Sequence, residues 1–177
     1  MKDQLLDALK KSDADYAEIR FEFEDTTVVG FRGEELDRMA SSKTAGGIAR
    51  ACVRGGWGIA TFDSVEDMAH GVAEACACAA LVGREKTELA DAQTPTDADV
   101  PARLERDFRG VKLDEKVALA RSYNEIILNA DPAIETSYVS YRDTFRTVHF
   151  ASTRGACYTE QRPRVVLHYG AVARDGA

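Results

Sequence analysis

At 177 residues, with 45% hydrophobic and 30% charged residues, the chain can bury one sizeable core or two small ones, which excludes a disordered protein. The formal net charge of -7 argues against a nucleic-acid surface, because neutralising phosphates requires clustered Lys and Arg. No apolar run is long enough to cross a bilayer and the N-terminal residues do not form a secretory signal, so we expect a cytoplasmic protein that binds neither nucleic acid nor membrane.

The first part of the chain predicts a helix followed by strands. Residues 3–11 place Leu5, Leu6 and Leu9 on one helical face. From residue 14 to residue 25 apolar and charged residues alternate, which is typical of an antiparallel strand with one face in solvent. We expect residues 26–33 and 34–42 to form its next two partners, with Gly33 at a turn.

The glycine-rich stretch from Gly46 to Phe62 could be a phosphate-binding loop or a tight turn between two strands. A phosphate-binding loop leads directly into a helix N-terminus, whereas these glycines are followed by WGIATF, which alternates as a strand. The pattern therefore favours a hairpin with Gly55 and Gly56 as its two turn residues, which pairs Arg54 with Trp57.

The two faces of this hairpin differ in character. Small residues dominate one face and let a helix lie close against the sheet; that face carries Ala49, Ala51, Val53, Gly58, Ala60 and Phe62. The other face brings Arg50, Arg54 and Trp57 together, with a cation–π contact expected between Arg54 and Trp57. These three residues form a candidate surface for a peptide, a partner subunit or another domain. The alternative is a solvated sheet face with one half-exposed Trp.

The remainder of the chain repeats the order of helix and then strands. Residues 64–82 predict a helix, residues 84–107 a polar surface connector, residues 114–129 a second helix, and residues 134–172 three or four strands. The predicted fold class is α+β, a mainly antiparallel sheet with helices packed on one face. We expect two helix-then-strands units, residues 1–83 and 108–177, joined by the connector 84–107.

No local motif specifies an active site. His70, His149 and His168 lie far apart in the sequence and begin no His-Glu helix motif, so we expect structural or surface histidines. The cysteines lack the paired spacing of a zinc knuckle, which predicts buried, reduced thiols. These are Cys52, Cys76, Cys78 and Cys157. We therefore expect no catalytic, metal-binding or cofactor-binding residue in this chain.

A series of short motifs runs from Ala14 to Ala79. It comprises an Ala-Asp-Tyr strand, a Gly-Glu turn, a Ser-rich segment, Gly47-x-x-Arg50, GWGIA at residues 56–60, and a helix after a short acidic link. The order and spacing of these motifs resemble the TldD/PmbA family, a group of microbial metallopeptidases and their partner subunits. The second half of the chain fits this pattern more weakly.

The resemblance implies that residues 1–177 are the N-terminal domain of a protein more than twice as long. Family members carry a zinc-binding His-Glu-x-x-x-His helix and a distant Cys in their later half, and no residue here matches those positions. The resemblance thus implies zinc for the parent protein and no catalysis by this chain alone. It also implies peptide substrates, homo- or heterodimers with a family member, and a name as a modulator of DNA gyrase. It places Arg50, Arg54 and Trp57 in the cleft or at the subunit interface.

Three functions remain open at this point. The first is a non-catalytic N-terminal domain of a TldD-like zinc metallopeptidase, shaping the cleft for proteolysis of unfolded or small peptides. The second is the N-terminal part of an inactive PmbA-type partner subunit. The third is a self-contained module that captures an extended peptide or a partner by adding a strand to a sheet edge.

Overall fold

The computed structural model describes residues 1–90 and 97–174. Its helices are α1 (Lys2–Leu9), α2 (Met68–Val82) and α3 (Leu113–Leu128), with one 3₁₀ turn at Phe108–Gly110. Its strands are β1 (Tyr16–Arg32), β2 (Glu35–Val53), β3 (Gly56–Phe62), β4 (Asp97–Val100), β5 (Ile134–Ser152) and β6 (Cys157–Ala173). Within the described residues, no helix combines the length and apolar character needed to cross a membrane.

The described strands form one sheet in the order β3-β2-β1-β5-β6-β4. β2 and β3 pair antiparallel, and the short strand β4 pairs parallel to β6. The prediction of an α+β fold with a mainly antiparallel sheet is confirmed. Gly33 lies at the turn between β1 and β2 with a φ of 55°, as expected for a glycine turn.

The strands are longer and fewer than the sequence pattern predicted. β1 runs without a break through residues 25–27, where the alternation of apolar and charged residues fails. Thr26 and Thr27 are β-branched and therefore suit a strand. The Thr26 hydroxyl lies 3.3 Å from Thr144 Oγ1, and the Thr27 hydroxyl lies 3.5 Å from Ser41 Oγ. Two long strands, β5 and β6, likewise replace the three or four predicted after residue 134.

The predicted connector 84–107 contains a strand that the sequence pattern did not indicate. β4 has only four residues, and its composition is polar, so it carries no periodic signal. It is held by pairing with β6, where Asp97 lies opposite Cys157 and Val100 opposite Glu160. Residues 91–96 of the connector lie outside the described residues. The subdivision into 1–83 and 108–177 stays a prediction.

The first of two compact units combines residues 1–24, 44–102 and 146–161. Its core is built from α1, α2 and the inner faces of the strands in this unit. The largest fully buried side chains in that core are Leu5, Ile19, Phe21, Met68 and Val72. Small residues at the contact between α2 and β3 allow a close approach, because a Cβ on Gly58 would stand 2.1 Å from the Ala75 carbonyl oxygen.

The second unit combines residues 25–43, 103–145 and 162 onwards. In its core α3 packs on the strands through Val29, Phe31, Ala120, Val139 and Tyr141. A buried polar link ties α3 to the β1–β2 turn. In that link, Asn124 Nδ2 donates to the Gly33 carbonyl at 2.6 Å, and Ser137 Oγ donates to Asn124 Oδ1 at 2.7 Å.

Candidate functional site

The β2–β3 hairpin turns one residue earlier than predicted. Arg54 and Gly55 are the turn residues, with φ values of 48° and 77°, and Val53 pairs with Gly56. Gly56 lies in the strand, where a Cβ would stand 2.4 Å from the Ala79 carbonyl oxygen of α2, so this position requires glycine. Arg54 adopts the left-handed conformation instead, and its backbone N–H donates to Asp15 Oδ2 at 2.7 Å. The predicted pairing of Arg54 with Trp57 is therefore wrong, and Cys52 lies opposite Trp57.

The predicted faces of the hairpin nevertheless hold. Moving the turn by one residue shifts each residue's partner on the other strand by two positions, from Arg54 to Cys52 in the case of Trp57. Because side chains alternate with a period of two, each side chain keeps its predicted side of the sheet. Residues of β3 alternate between buried and exposed, and Trp57 remains 39% exposed. Arg50 and Trp57 share the exposed face, whereas Ala49, Ala51 and Ala60 are buried.

We call the cluster around the single tryptophan the Trp57 surface; it comprises Tyr16, Glu18, Arg50, Trp57 and Arg154. The Arg50 guanidinium lies 5.0 Å from the Trp57 ring centroid and its Nη1 lies 3.1 Å from Glu18 Oε1. Tyr16 contacts Trp57 edge-on at 6.0 Å, and the Arg154 guanidinium lies 5.8 Å from the Tyr16 ring. The rings and cations therefore form one contiguous cluster, in which Arg50, Trp57 and Arg154 are exposed and Tyr16 is half-buried.

Arg54, the third predicted member, points elsewhere. Its Nη2 donates to the Ala80 carbonyl oxygen of α2 at 3.3 Å. The cation–π partner of Trp57 is therefore Arg50 rather than Arg54. This change follows from the turn, because a residue at a turn position leaves the alternation of the strand.

The electrostatics of the Trp57 surface suit recognition rather than acid–base chemistry. Tyr16 donates its hydroxyl to Glu18 Oε2. Burial, followed by this hydrogen bond, raises the pKa of Tyr16 to about 12, so the phenol stays protonated near neutral pH. Glu18 thus lies between a hydroxyl donor and the Arg50 cation. No serine, cysteine, lysine or histidine lies among the five residues of this surface.

The pKa of Tyr16 predicts a difference in alkaline stability. Because its folded pKa is above the ordinary value of 10.0, its contribution is complete below pH 10 and is lost as the pH rises towards 12. We expect the urea midpoint of Tyr16→Phe to fall less steeply over that range than the midpoint of the unmodified protein. Parallel curves would show that Tyr16 titrates normally. Tyr158→Phe, at a tyrosine whose ring stacks on Phe150, is the matched control.

A charged network continues along the same face of β1. Glu22 forms ion pairs with Arg20 and with Arg146, and Arg146 Nη2 donates to Glu24 Oε2 at 2.5 Å. Arg20, Glu22 and Glu24 also line a pocket of about 360 Å³ together with residues 44–48 and 61–63. Among the described residues, the buried Nε of Arg20 has no hydrogen-bond partner.

Two family models match the chain in succession. Residues 17–80 match the model described as PmbA/TldA metallopeptidase domain 1, and residues 106–177 match the PmbA/TldA metallopeptidase central domain. The relative named Metalloprotease slr0863, from Synechocystis sp., is 30% identical over 166 residues, which are 94% of this chain and 36% of that protein. The chain belongs to the PmbA/TldD family.

Solved structures show the same fold as this PmbA/TldD chain. A proposed modulator of DNA gyrase from Bacteroides thetaiotaomicron has a TM-score of 0.83 at 17% identity, over 99% of this chain and 42% of that chain. A proposed modulator of DNA gyrase from Thermotoga maritima has a TM-score of 0.74 at 19% identity, and TldE from Thermococcus kodakarensis has a TM-score of 0.72 at 14% identity. Each of these matches covers 99% of this chain and 40% of the solved chain. The chain thus spans about two fifths of the length of these relatives.

The PmbA/TldD family name implies a metal for the whole protein, and the described residues do not fit one. Within residues 1–90 and 97–174, no group of three or more His, Cys, Asp or Glu side chains is placed to hold a metal ion. His149 Nδ1 instead lies 3.0 Å from Thr159 Oγ1, and burial lowers the pKa of His149. We therefore assign no metal chemistry to these residues.

The cysteines follow the prediction only in part. All four are free thiols, and Cys52 and Cys157 are buried. Cys78 is exposed, because its position on α2 turns away from the buried stripe of that helix, whereas Cys76 is half-buried and packs against the core. Burial raises the pKa of the Cys157 thiol, which makes it a poor nucleophile.

One polar cluster in this PmbA/TldD chain gave no sequence signal. In the second unit, Lys116 and Asp143 are 5% and 3% exposed and form an ion pair at 2.5 Å. Tyr141 donates its hydroxyl to Asp143 Oδ2 at 2.6 Å, which with burial raises its pKa. A pocket of about 370 Å³ adjoins this pair. The pairing joins a helix to a strand, so the periodicity of neither element reveals it.

Proposed function

We propose that this chain is the non-catalytic N-terminal region of a TldD-like zinc metallopeptidase that cleaves unfolded or small peptides. The observation that carries the proposal is the succession of the two domain matches, domain 1 followed by the central domain, along one chain. The name of the Synechocystis relative, a metalloprotease, supports the same reaction class.

Within this function we assign the Trp57 surface to the substrate cleft or to the subunit interface. An exposed indole with a guanidinium over its face offers apolar area and charge at low conformational cost, which suits recognition of polypeptide. The neighbouring pocket, lined by Arg20, Glu22 and Glu24, adds charged side chains beside this surface. The chain contributes binding groups in this account, and the reaction itself belongs to the rest of the metallopeptidase.

The partner we propose is a second copy of the protein or another family member. This part of the proposal rests on the resemblance of residues 14–79 to the family, which implies homo- or heterodimers. Zinc is the metal we propose for the whole protein.

The test compares the full-length gene product with the 177-residue chain. Both are incubated with unfolded casein, and bound metal is measured by mass spectrometry. We expect cleavage and about one metal ion per subunit in the full-length product only. Casein cleavage by the 177-residue chain would contradict the proposal.

The alternatives give different results in the same experiment. A full-length product that is much longer than this chain, yet neither binds metal nor cleaves casein, would indicate the inactive PmbA-type subunit. A native product of 19.4 kDa would remove the catalytic part and favour the self-contained binding module.

A further inference from the structure

Among the strands that the structure describes, none pairs with the outer side of β2 along the part that belongs to the second unit. β2 begins at Glu35, but β3 pairs only with its residues Gly47–Val53. Within residues 1–90 and 97–174, no strand lies on the outer side of β2 from residue 35 to residue 43, since the sheet order ends with β3. Every side chain in this stretch is exposed. We call residues 35–43 the free β2 edge.

The free β2 edge is suited to pairing with another strand. It has nine residues, longer than a typical strand, and its unpaired N–H and C=O groups form a template for a further strand. It contains no proline, which would interrupt such pairing. Two large apolar side chains, Leu36 and Met39, are exposed on it, with Met39 at 52%.

We propose that the free β2 edge pairs antiparallel with the same edge of a second copy of this chain. This inference rests on the dimer in the proposed function and names the surface that forms it. In a two-fold interface, residue i of one copy contacts residue j of the other, and j contacts i. The edge must therefore be complementary to itself.

The charges on the edge meet this requirement when Met39 lies on the two-fold axis. Glu35 then lies opposite Lys43 of the other copy, twice per dimer, and Asp37 lies diagonal to the same Lys43. An axis through Asp37 or Arg38 would instead oppose identical charges. In this register, odd-numbered residues of one copy lie opposite odd-numbered residues of the other. Side chains that point to the same face of the joined sheet are therefore paired with each other.

Lys43 is free to reach across such an interface. Its side chain is 85% exposed, and its ion pair with Asp25 in the same chain is long, at 3.6 Å. Exposed pairs of this kind contribute little, so little is lost when Lys43 changes partner.

The test is sedimentation equilibrium of the full-length gene product. We expect a dimer, and we expect Lys43→Glu to raise its dissociation constant at least about tenfold, because two attractive pairs become repulsive. The charge-reversed triple variant Glu35→Lys/Asp37→Lys/Lys43→Glu should return the constant to near the original value. Lys10→Glu, which changes an exposed lysine on α1, is the control. Circular dichroism verifies that each variant is folded.

The outcomes separate this inference from the proposed function. A dimer that Lys43→Glu leaves unchanged, or that the triple variant fails to restore, overturns the inference, while the proposed dimer stands. A monomer at all concentrations overturns both the edge and the dimer, and the casein test still decides the metallopeptidase assignment. The inference is also overturned if the protein is a monomer that binds unfolded casein and the Lys43→Glu variant no longer binds it. That result would show that the free β2 edge binds peptide rather than a second copy.

Discussion

Gly58→Ala is expected to lower the free energy of unfolding by about 3 kcal/mol, which corresponds to a fall in Tm of about 6–12 °C for a chain of this size. The added Cβ would stand 2.1 Å from the Ala75 carbonyl oxygen and 2.5 Å from the Ala79 backbone nitrogen. Both are backbone atoms of α2, so no side-chain rotation relieves the clash. The helix or the strand has to move, and the core under α2 loosens.

The control for this change is another Gly→Ala substitution without a steric cost. Gly110 has no atom within 4 Å of the position that its Cβ would occupy. Gly110→Ala should therefore change stability by less than about 1 kcal/mol, and it restricts the unfolded chain in the same way. Thermal and urea unfolding of both variants measure the difference. Equal stabilities would show that α2 does not pack as closely on β3 as described.

Asp143→Ala is expected to cost about 3–5 kcal/mol, the second large effect. The substitution leaves the Lys116 ammonium buried without its carboxylate and removes the acceptor of the Tyr141 hydroxyl. Because an uncompensated buried charge is the source of the penalty, Lys116→Met in the same background should recover a substantial part of it. Urea unfolding at pH 7 gives each free energy.

An exposed ion pair provides the comparison. Asp7 and Lys10 on α1 lie 2.7 Å apart but are mostly in solvent, so Asp7→Ala should cause no measurable loss of stability. The account of the buried pair would be wrong if Asp143→Ala were as mild as Asp7→Ala. It would also be wrong if Lys116→Met made the Asp143→Ala variant less stable.

Strand alternation was sufficient to assign the hairpin faces and not the register. The exposed positions of Arg50 and Trp57 follow from alternation alone, since side chains along a strand point to opposite faces. Gly56 lies in the strand, where glycine is required by a contact distant in sequence, the close approach of α2. Propensity at Gly55 and Gly56 could not reveal that contact.

Partners across strands were beyond the reach of the sequence for the same reason. Alternation placed Glu18 and Glu22 on a solvent face, and the structure adds Arg50 and Arg146 as their ion-pair partners. Those pairs depend on which strands are neighbours and in what register. Lys116 and Asp143 are a stronger case, because each would be expected at the surface by residue type alone.

The free β2 edge is the surface proposed for the dimer, so the central claim is that the Trp57 surface has the other proposed role and binds peptide for a reaction carried out elsewhere in the protein. The most direct test is steady-state cleavage of unfolded casein by the full-length gene product carrying Trp57→Ala. Leu81→Ala, at an exposed apolar residue of α2, is the matched control. We expect Trp57→Ala to raise KM about tenfold with kcat unchanged, because only binding is lost, and Leu81→Ala to change neither. An unchanged KM, or a fall in kcat at constant KM, would contradict the assignment.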